Sequence, residues 1–145
     1  MKDVLYINGR DAYTTWGITM DTQSLSALMT PPALKERVES QSRLEQGSRL
    51  VGAAPRLAAR QLTLTLNLTA RTEEQFFARY ASFCRELATG RLTIRTTYQR
   101  GVTYRTAYVS CTQFTQFMRG MAKFSLKLTE PDPTDRDPDP EDEET

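Results

Sequence analysis

The stretch that most constrains this chain runs from Arg60 to Leu87, where a strand pattern, a capping signal and a helix pattern follow without interruption. Leu62, Leu64, Leu66 and Leu68 alternate with Thr63, Thr65, Asn67 and Thr69, the period of a strand with one buried face. Thr72-Glu73-Glu74-Gln75 has the form of a capping box. In such a box the threonine hydroxyl accepts from the glutamine amide, and the glutamine side chain reaches back. Phe76, Tyr80, Phe83 and Leu87 then recur at helical spacing, with Phe77 and Cys84 widening the apolar face. One hydrophobic interior between this ribbon and this helix is the first expectation.

The flanking segments read as strands and turns around that centre. Val4–Ile7 is a short strand stopped by Asn8-Gly9, a strong hairpin signal. Tyr13 to Met20 is expected to return beside it, with Trp16 and Ile18 on one face. Asp21 to Thr30 holds a helical turn that gathers Leu25, Leu28 and Met29, and Pro31-Pro32 ends it. Residues 33–42 are an impure strand pattern. Residues 44–59, with Gly47, Gly52, Pro55 and scattered arginines, fit no period and read as an extended arm. Such long unpatterned stretches in compact domains tend to be functional. Beyond the helix, Gly90 is a left-handed cap. Leu92–Thr96 and Val102–Cys111 form strands around a turn at Gln99-Arg100-Gly101. The irregular run Phe114, Phe117, Met118 predicts a bend or bulge. Ala122, Phe124, Leu126 and Leu128 restore the alternation.

Charge is divided along the chain. Residues 130–145 carry nine acids against Arg136, a net of −8, so residues 1–129 carry +9 although the whole chain is +1. The expected organisation is one domain over residues 1–129, an arm near residues 43–59, and a disordered acidic tail over 130–145. Most of the body's positive charge is arginine, which suits interfaces because its planar fork makes bidentate pairs and stacks.

The residues argue against chemistry. With no histidine, the usual general base and commonest zinc ligand are missing. Cys84 and Cys111 are the only cysteines; without ligand-spaced companions they point to neither a metal site nor a disulfide. Glu73 and Glu74 belong to the first turn of a helix, where the dipole favours acids for structural reasons. The glycines make no phosphate-binding series. No catalytic residue, cofactor or metal ligand is therefore expected, and neither is an enzyme. There is no apolar run of membrane-spanning length and no leader pattern at the N-terminus, which predicts a cytosol-like compartment and no membrane partner. A nucleic-acid-binding module is the rival reading, because Arg91, Arg95, Arg100 and Arg105 fall near Tyr98, Tyr104 and Tyr108 on a hairpin. The acidic tail and the ordinary preference of tyrosine and threonine for strands weigh against it.

Taken in order, the chain resembles the N-terminal domain of the distal tail proteins of long-tailed phages, which belong with the tail-tube proteins. The residues that carry the likeness are Tyr6-Ile7-Asn8-Gly9, Trp16-Gly17-Ile18, Arg60-Gln61-Leu62-Thr63-Leu64, Phe76-Phe77, Tyr80 to Leu87, Gly90-Arg91-Leu92 and Phe124-Ser125-Leu126-Lys127-Leu128. The resemblance implies an α+β fold, mainly an antiparallel β-sandwich or barrel-like sheet with one flanking α-helix. It also implies a homo-oligomer, a hexameric ring around a channel, located in the virion tail and assembled in the bacterial host cytoplasm beside other phage tail proteins. The ring would be a distal tail or tube component joining the tube to the adsorption apparatus. In that reading Leu62, Leu64, Leu66, Leu68, Phe76, Tyr80, Phe83, Leu87, Phe124 and Leu126 hold the core, and Arg43, Arg49, Arg56 and Arg60 make the subunit contacts. Many relatives carry a second, carbohydrate-binding-like domain, and this sequence is expected to end after one. A tube subunit, a tail-completion protein and a prophage-encoded relative are the alternatives that departure leaves open.

Overall fold

The computed structural model describes residues 3–35, 56–116 and 120–138. Its strands are β1 (Leu5–Ile7), β2 (Arg10–Asp11), β3 (Ile18–Met20), β4 (Arg60–Thr69), β5 (Arg91–Thr96), β6 (Tyr104–Gln116) and β7 (Met121–Glu130). The helices are α1 (Ala12–Trp16), α2 (Thr22–Met29) and α3 (Glu73–Ala88). The strands form one antiparallel sheet in the order β2-β1-β5-β6-β7-β4-β3, which gives an α+β fold of the sandwich-like kind. α2 falls on the expected helical turn and α3 on the expected helix, while α1 is an addition.

The connection between the edges sets the shape. β2 and β3 lie at opposite ends of the strand order, yet only α1 and Gly17 separate them in sequence. A five-residue helix is roughly 7–8 Å long, so the sheet must curl until its edges nearly meet, and α1 fills the gap. Asp11 caps α1, its carboxylate accepting from the backbone N–H groups of Tyr13 and Thr14. Gly17 ends it at φ +68°, donating to the Tyr13 carbonyl while its own carbonyl accepts from Thr69 N–H, both at 2.8 Å. Tyr13 to Met20 is thus a helix and a far-edge strand, not a return beside β1. The backbone turns at Gly17 because a left-handed residue suits a helix terminus. Trp16 and Ile18 are both buried, from different elements. The hairpin at Asn8-Gly9 is present, both residues at positive φ as a primed turn requires, but its second strand is only Arg10–Asp11.

The central ladder brings together the two strands whose alternation was clearest in the sequence. Leu62, Leu64, Leu66 and Leu68 face Leu128, Leu126, Phe124 and Ala122 across β4 and β7, and all eight are buried. Phe76, Phe83 and Leu87 of α3 join this core. Thr72 Oγ1 accepts from Gln75 N–H at 3.0 Å. The Gln75 side chain reaches back past the cap and accepts from Arg71 N–H at 2.8 Å. Beyond β3, α2 lies along the edge of β4, where Ser24 Oγ exchanges bonds with the Thr65 N–H and carbonyl and Leu28 joins the core. Ser125, opposite in parity to Phe124 and Leu126, is also buried, its hydroxyl 3.4 Å from both Thr65 Oγ1 and Gln113 Oε1. β6 shifts register against β7 between Thr112 and Thr115, around Phe114 as expected, and also between Tyr108 and Ser110, which the sequence did not signal; Phe117 and Met118 lie outside the described residues. Of residues 33–42, the described part contributes one bridge, Leu34 to Leu57; residues 36–55, the bulk of the expected arm, lie outside the described residues.

Candidate assembly surfaces

The strand alternation that buries the leucines also buries charge. Arg60 precedes Leu62 by two residues and Glu130 follows Leu128 by two, so both continue the inward face, and they are register partners. Arg60 Nε donates to Glu130 Oε1 at 3.0 Å, while Nη1 donates to the carbonyls of Ala27, Leu28 and Thr30. Those oxygens end α2, where the helix dipole favours a cation. Arg60 is only 8% exposed, so it ties this chain together internally and does not stand ready for a neighbour. Of the other expected contact arginines, Arg56 is exposed, and Arg43 and Arg49 lie outside the described residues.

Glu130 is fully buried and holds a second arginine. Arg136 donates to its carboxylate in a bidentate fork, Nε to Oε2 at 2.9 Å and Nη2 to Oε1 at 2.8 Å. The hydrogen bonds to Glu130 raise the Arg136 pKa above its ordinary value. Both guanidinium groups sit over the Tyr104 ring, at 5.5 and 4.7 Å from its centre, and Tyr104 Oη donates to Gln99 Oε1 at 2.7 Å. The folded chain thus continues past residue 129, where the sequence reading set its boundary. Glu130 is the last residue of β7, and residues 131–138 fold back as a strap with Pro133 buried and the Arg136 carbonyl accepting from Thr103 N–H. Of the expected acidic tail, residues 139–145 lie outside the described residues. The signal for this cluster was the parity of Arg60 and Glu130 with the leucines.

A second feature runs from the interior to the surface. Trp16 meets Phe83 edge-on at 5.6 Å, Phe83 meets Phe124 at 5.8 Å, Phe124 stacks on Phe114 at 5.7 Å, and Phe114 meets Tyr80 edge-on at 5.6 Å. Trp16 Nε1 donates to Ser82 Oγ at 3.1 Å, anchoring the inner end. Tyr80, expected in the core, is 40% exposed. α3 turns Phe76 and Phe83 inward, and Tyr80 falls at the rim, where the bulged part of β6 brings Phe114 against it. Gln113, at φ +54°, marks that bulge. Phe77, expected to widen the buried face, is 50% exposed. Tyr80 and Phe114 thus form an aromatic ledge supported from behind by packed rings, and Phe77, three residues before Tyr80 on α3, extends it along the helix and meets Phe76 edge-on at 5.3 Å. Burial and the neighbouring Cys84 raise the pKa of the Cys111 thiol, and both cysteines are free.

Of the hairpin residues that suggested nucleic-acid binding, Arg91, Tyr98 and Arg100 are exposed, whereas the others are partly engaged within the fold. Arg95 is buried with its guanidinium 4.2 Å from the centre of the Tyr6 ring. Tyr104 is buried, and Arg105 pairs with Asp135 of the strap at 3.3 Å. Nearby, a cleft of about 720 Å³ is lined in part by Asn8, Glu86, Arg91 and Arg105. Its carboxylate is engaged, Glu86 accepting from Asn8 Nδ2 at 2.6 Å and pairing with Arg10 at 3.5 Å. Among the described residues no group of three or more His, Cys, Asp or Glu side chains could hold a metal ion. No described helix is long and apolar enough to cross a membrane.

Comparison with known proteins gives a fold relationship. No family model matches the sequence, and no curated protein matches it. Among solved structures, the chain is similar to the SPP1 Dit (gp 19.1) protein, described as a paradigm of the hub adsorption apparatus in phages that infect Gram-positive bacteria. The superposition has a TM-score of 0.54 at 15% sequence identity and covers 90% of this chain and 50% of that one. The chain therefore spans about half the length of the structure it matches, and at this identity what the two share is the fold.

Proposed function

We propose that this chain is a structural subunit of a phage or prophage tail, a ring-forming distal tail or tube component that links the tube to the adsorption apparatus. The observation that carries the reading is the fold likeness over nine-tenths of the chain to a protein described as an adsorption-apparatus hub. The curled sheet supports it, since a rigid shell with engaged interior charges and exposed aromatics suits repeated packing of copies. In this reading the protein works by position, with no catalytic step. Its partners are other copies of itself, six to a ring, and adjoining tail proteins.

Light scattering combined with electron microscopy of the purified chain tests this. The expected result is a ring-shaped particle of six times the 16.5 kDa chain. A monomer at every concentration, with no ring on the grid, overturns it.

A further inference from the structure

Two exposed apolar patches lie at opposite ends of the β4–β7 ladder. The aromatic ledge of Phe77, Tyr80 and Phe114 is joined to the core through Phe124, the register partner of Leu66. At the other end Leu34, 60% exposed, bridges Leu57, three residues before Arg60. Met29, also exposed, ends the helix whose last carbonyls Arg60 binds. Arg60 and Leu66 are roughly 20 Å apart along the strand at about 3.3 Å per residue.

The charges beside the two patches are opposite. Glu73 and Glu74, both exposed, precede Phe77 by four and three residues on α3 and so share its side of the helix. Lys35 and Arg56, both exposed, flank Leu34, and the Arg56 carbonyl accepts from Lys35 N–H at 2.7 Å. Lys35 also lies within electrostatic reach of Asp132. One end is thus aromatic with an acidic margin, and the other aliphatic with a basic margin.

From this we infer that the Leu34 end of one copy docks on the Phe77–Tyr80–Phe114 ledge of the next, with Lys35 and Arg56 facing Glu73 and Glu74. The occupant of the ledge is a second copy of this chain. Rigid aromatics backed by packed rings are the side chains that dominate interfaces. A contact between two different patches is head-to-tail, which generates rings when the rotation closes. The inference rests on the ring reading and names the surfaces that build the ring.

The test uses two full-length variants, Phe77→Arg, which spoils only the ledge, and Leu34→Glu, which spoils only the opposite end. Both positions are exposed, and thermal melting checks that each variant folds. Tyr80→Glu replaces Phe77→Arg if the latter melts early. Each variant alone is expected to associate at least about tenfold more weakly than the unaltered chain. An equimolar mixture is expected to form one-to-one heterodimers, because the intact Leu34 end of the Phe77→Arg variant can dock on the intact ledge of the Leu34→Glu variant, whereas the opposite junction joins two altered patches. Raising salt should weaken the unaltered assembly, as charged margins predict. If both single variants assemble as the unaltered chain does, or the mixture stays monomeric, the docking inference fails while the ring reading stands. If the unaltered chain is itself a monomer, the ring reading fails first.

Discussion

Arg60 and Glu130 face each other at the end of the longest ladder in the sheet, their side chains 3.0 Å apart and almost wholly removed from solvent. The pair closes the row of leucines above it. Glu130 also takes Arg136, so one carboxylate faces two cations, and the α2 carbonyls add negative potential at Arg60.

Replacing Glu130 by alanine strands two guanidinium groups, one of them buried. Breaking a buried ion pair by removing one partner costs about 3–5 kcal/mol, and a loss of that order in denaturant unfolding is expected. Arg136→Ala should cost clearly less, because Arg136 is 25% exposed and solvent screens it. Equal losses would contradict the arrangement.

Gly17 cannot accept a side chain. Its φ is positive, and a Cβ there would meet the Thr69 carbonyl oxygen and the Arg79 guanidinium, the latter already donating to that same oxygen at 2.7 Å. Gly17→Ala is expected to destabilise by about 1–3 kcal/mol, read as a lower denaturant midpoint. An unchanged midpoint would place the α1 terminus elsewhere.

Asp11 ties acid stability to the α1 cap. Its burial opposes the charged form, but the backbone N–H groups of Asp3, Thr14 and Tyr13 outweigh that and hold its pKa below the usual aspartate value. A carboxyl with a depressed folded-state pKa stabilises fully above its unfolded pKa of about 3.9 and loses that contribution as pH falls through the lower folded value. Asp11→Asn should therefore be less stable than the parent at neutral pH, with the difference shrinking below about pH 4. A difference constant down to the acid limit would show that the charge is irrelevant.

The aromatic run separates packing from display. Phe83→Ala removes a buried ring that touches both Trp16 and Phe124 and should cost about 3–5 kcal/mol in unfolding. Tyr80→Ala, at the exposed end, should cost about 1 kcal/mol or less in the monomeric fold. Similar losses at both positions would mean that Tyr80 belongs to the interior after all.

What the sequence determined by itself was local and periodic. The alternation of Leu62 to Leu68, the Thr72 cap, the Asn8-Gly9 turn and the final strand from Ala122 to Leu128 each depend on residues a few positions apart, and all stand as read. Arg60 shows where that stopped. Its parity with the leucines was visible, but that an inward arginine would find Glu130, Arg136 and the end of α2 depends on contacts between segments distant in sequence. Tyr80 shows the same limit from the other side: helical spacing puts it on the apolar stripe, and only the position of α3 against β6 decides that the stripe's margin meets solvent. The curl that brings β2 and β3 to either side of α1 was likewise hidden, because it follows from strand order, and strand order is settled by which buried faces can satisfy one another at once.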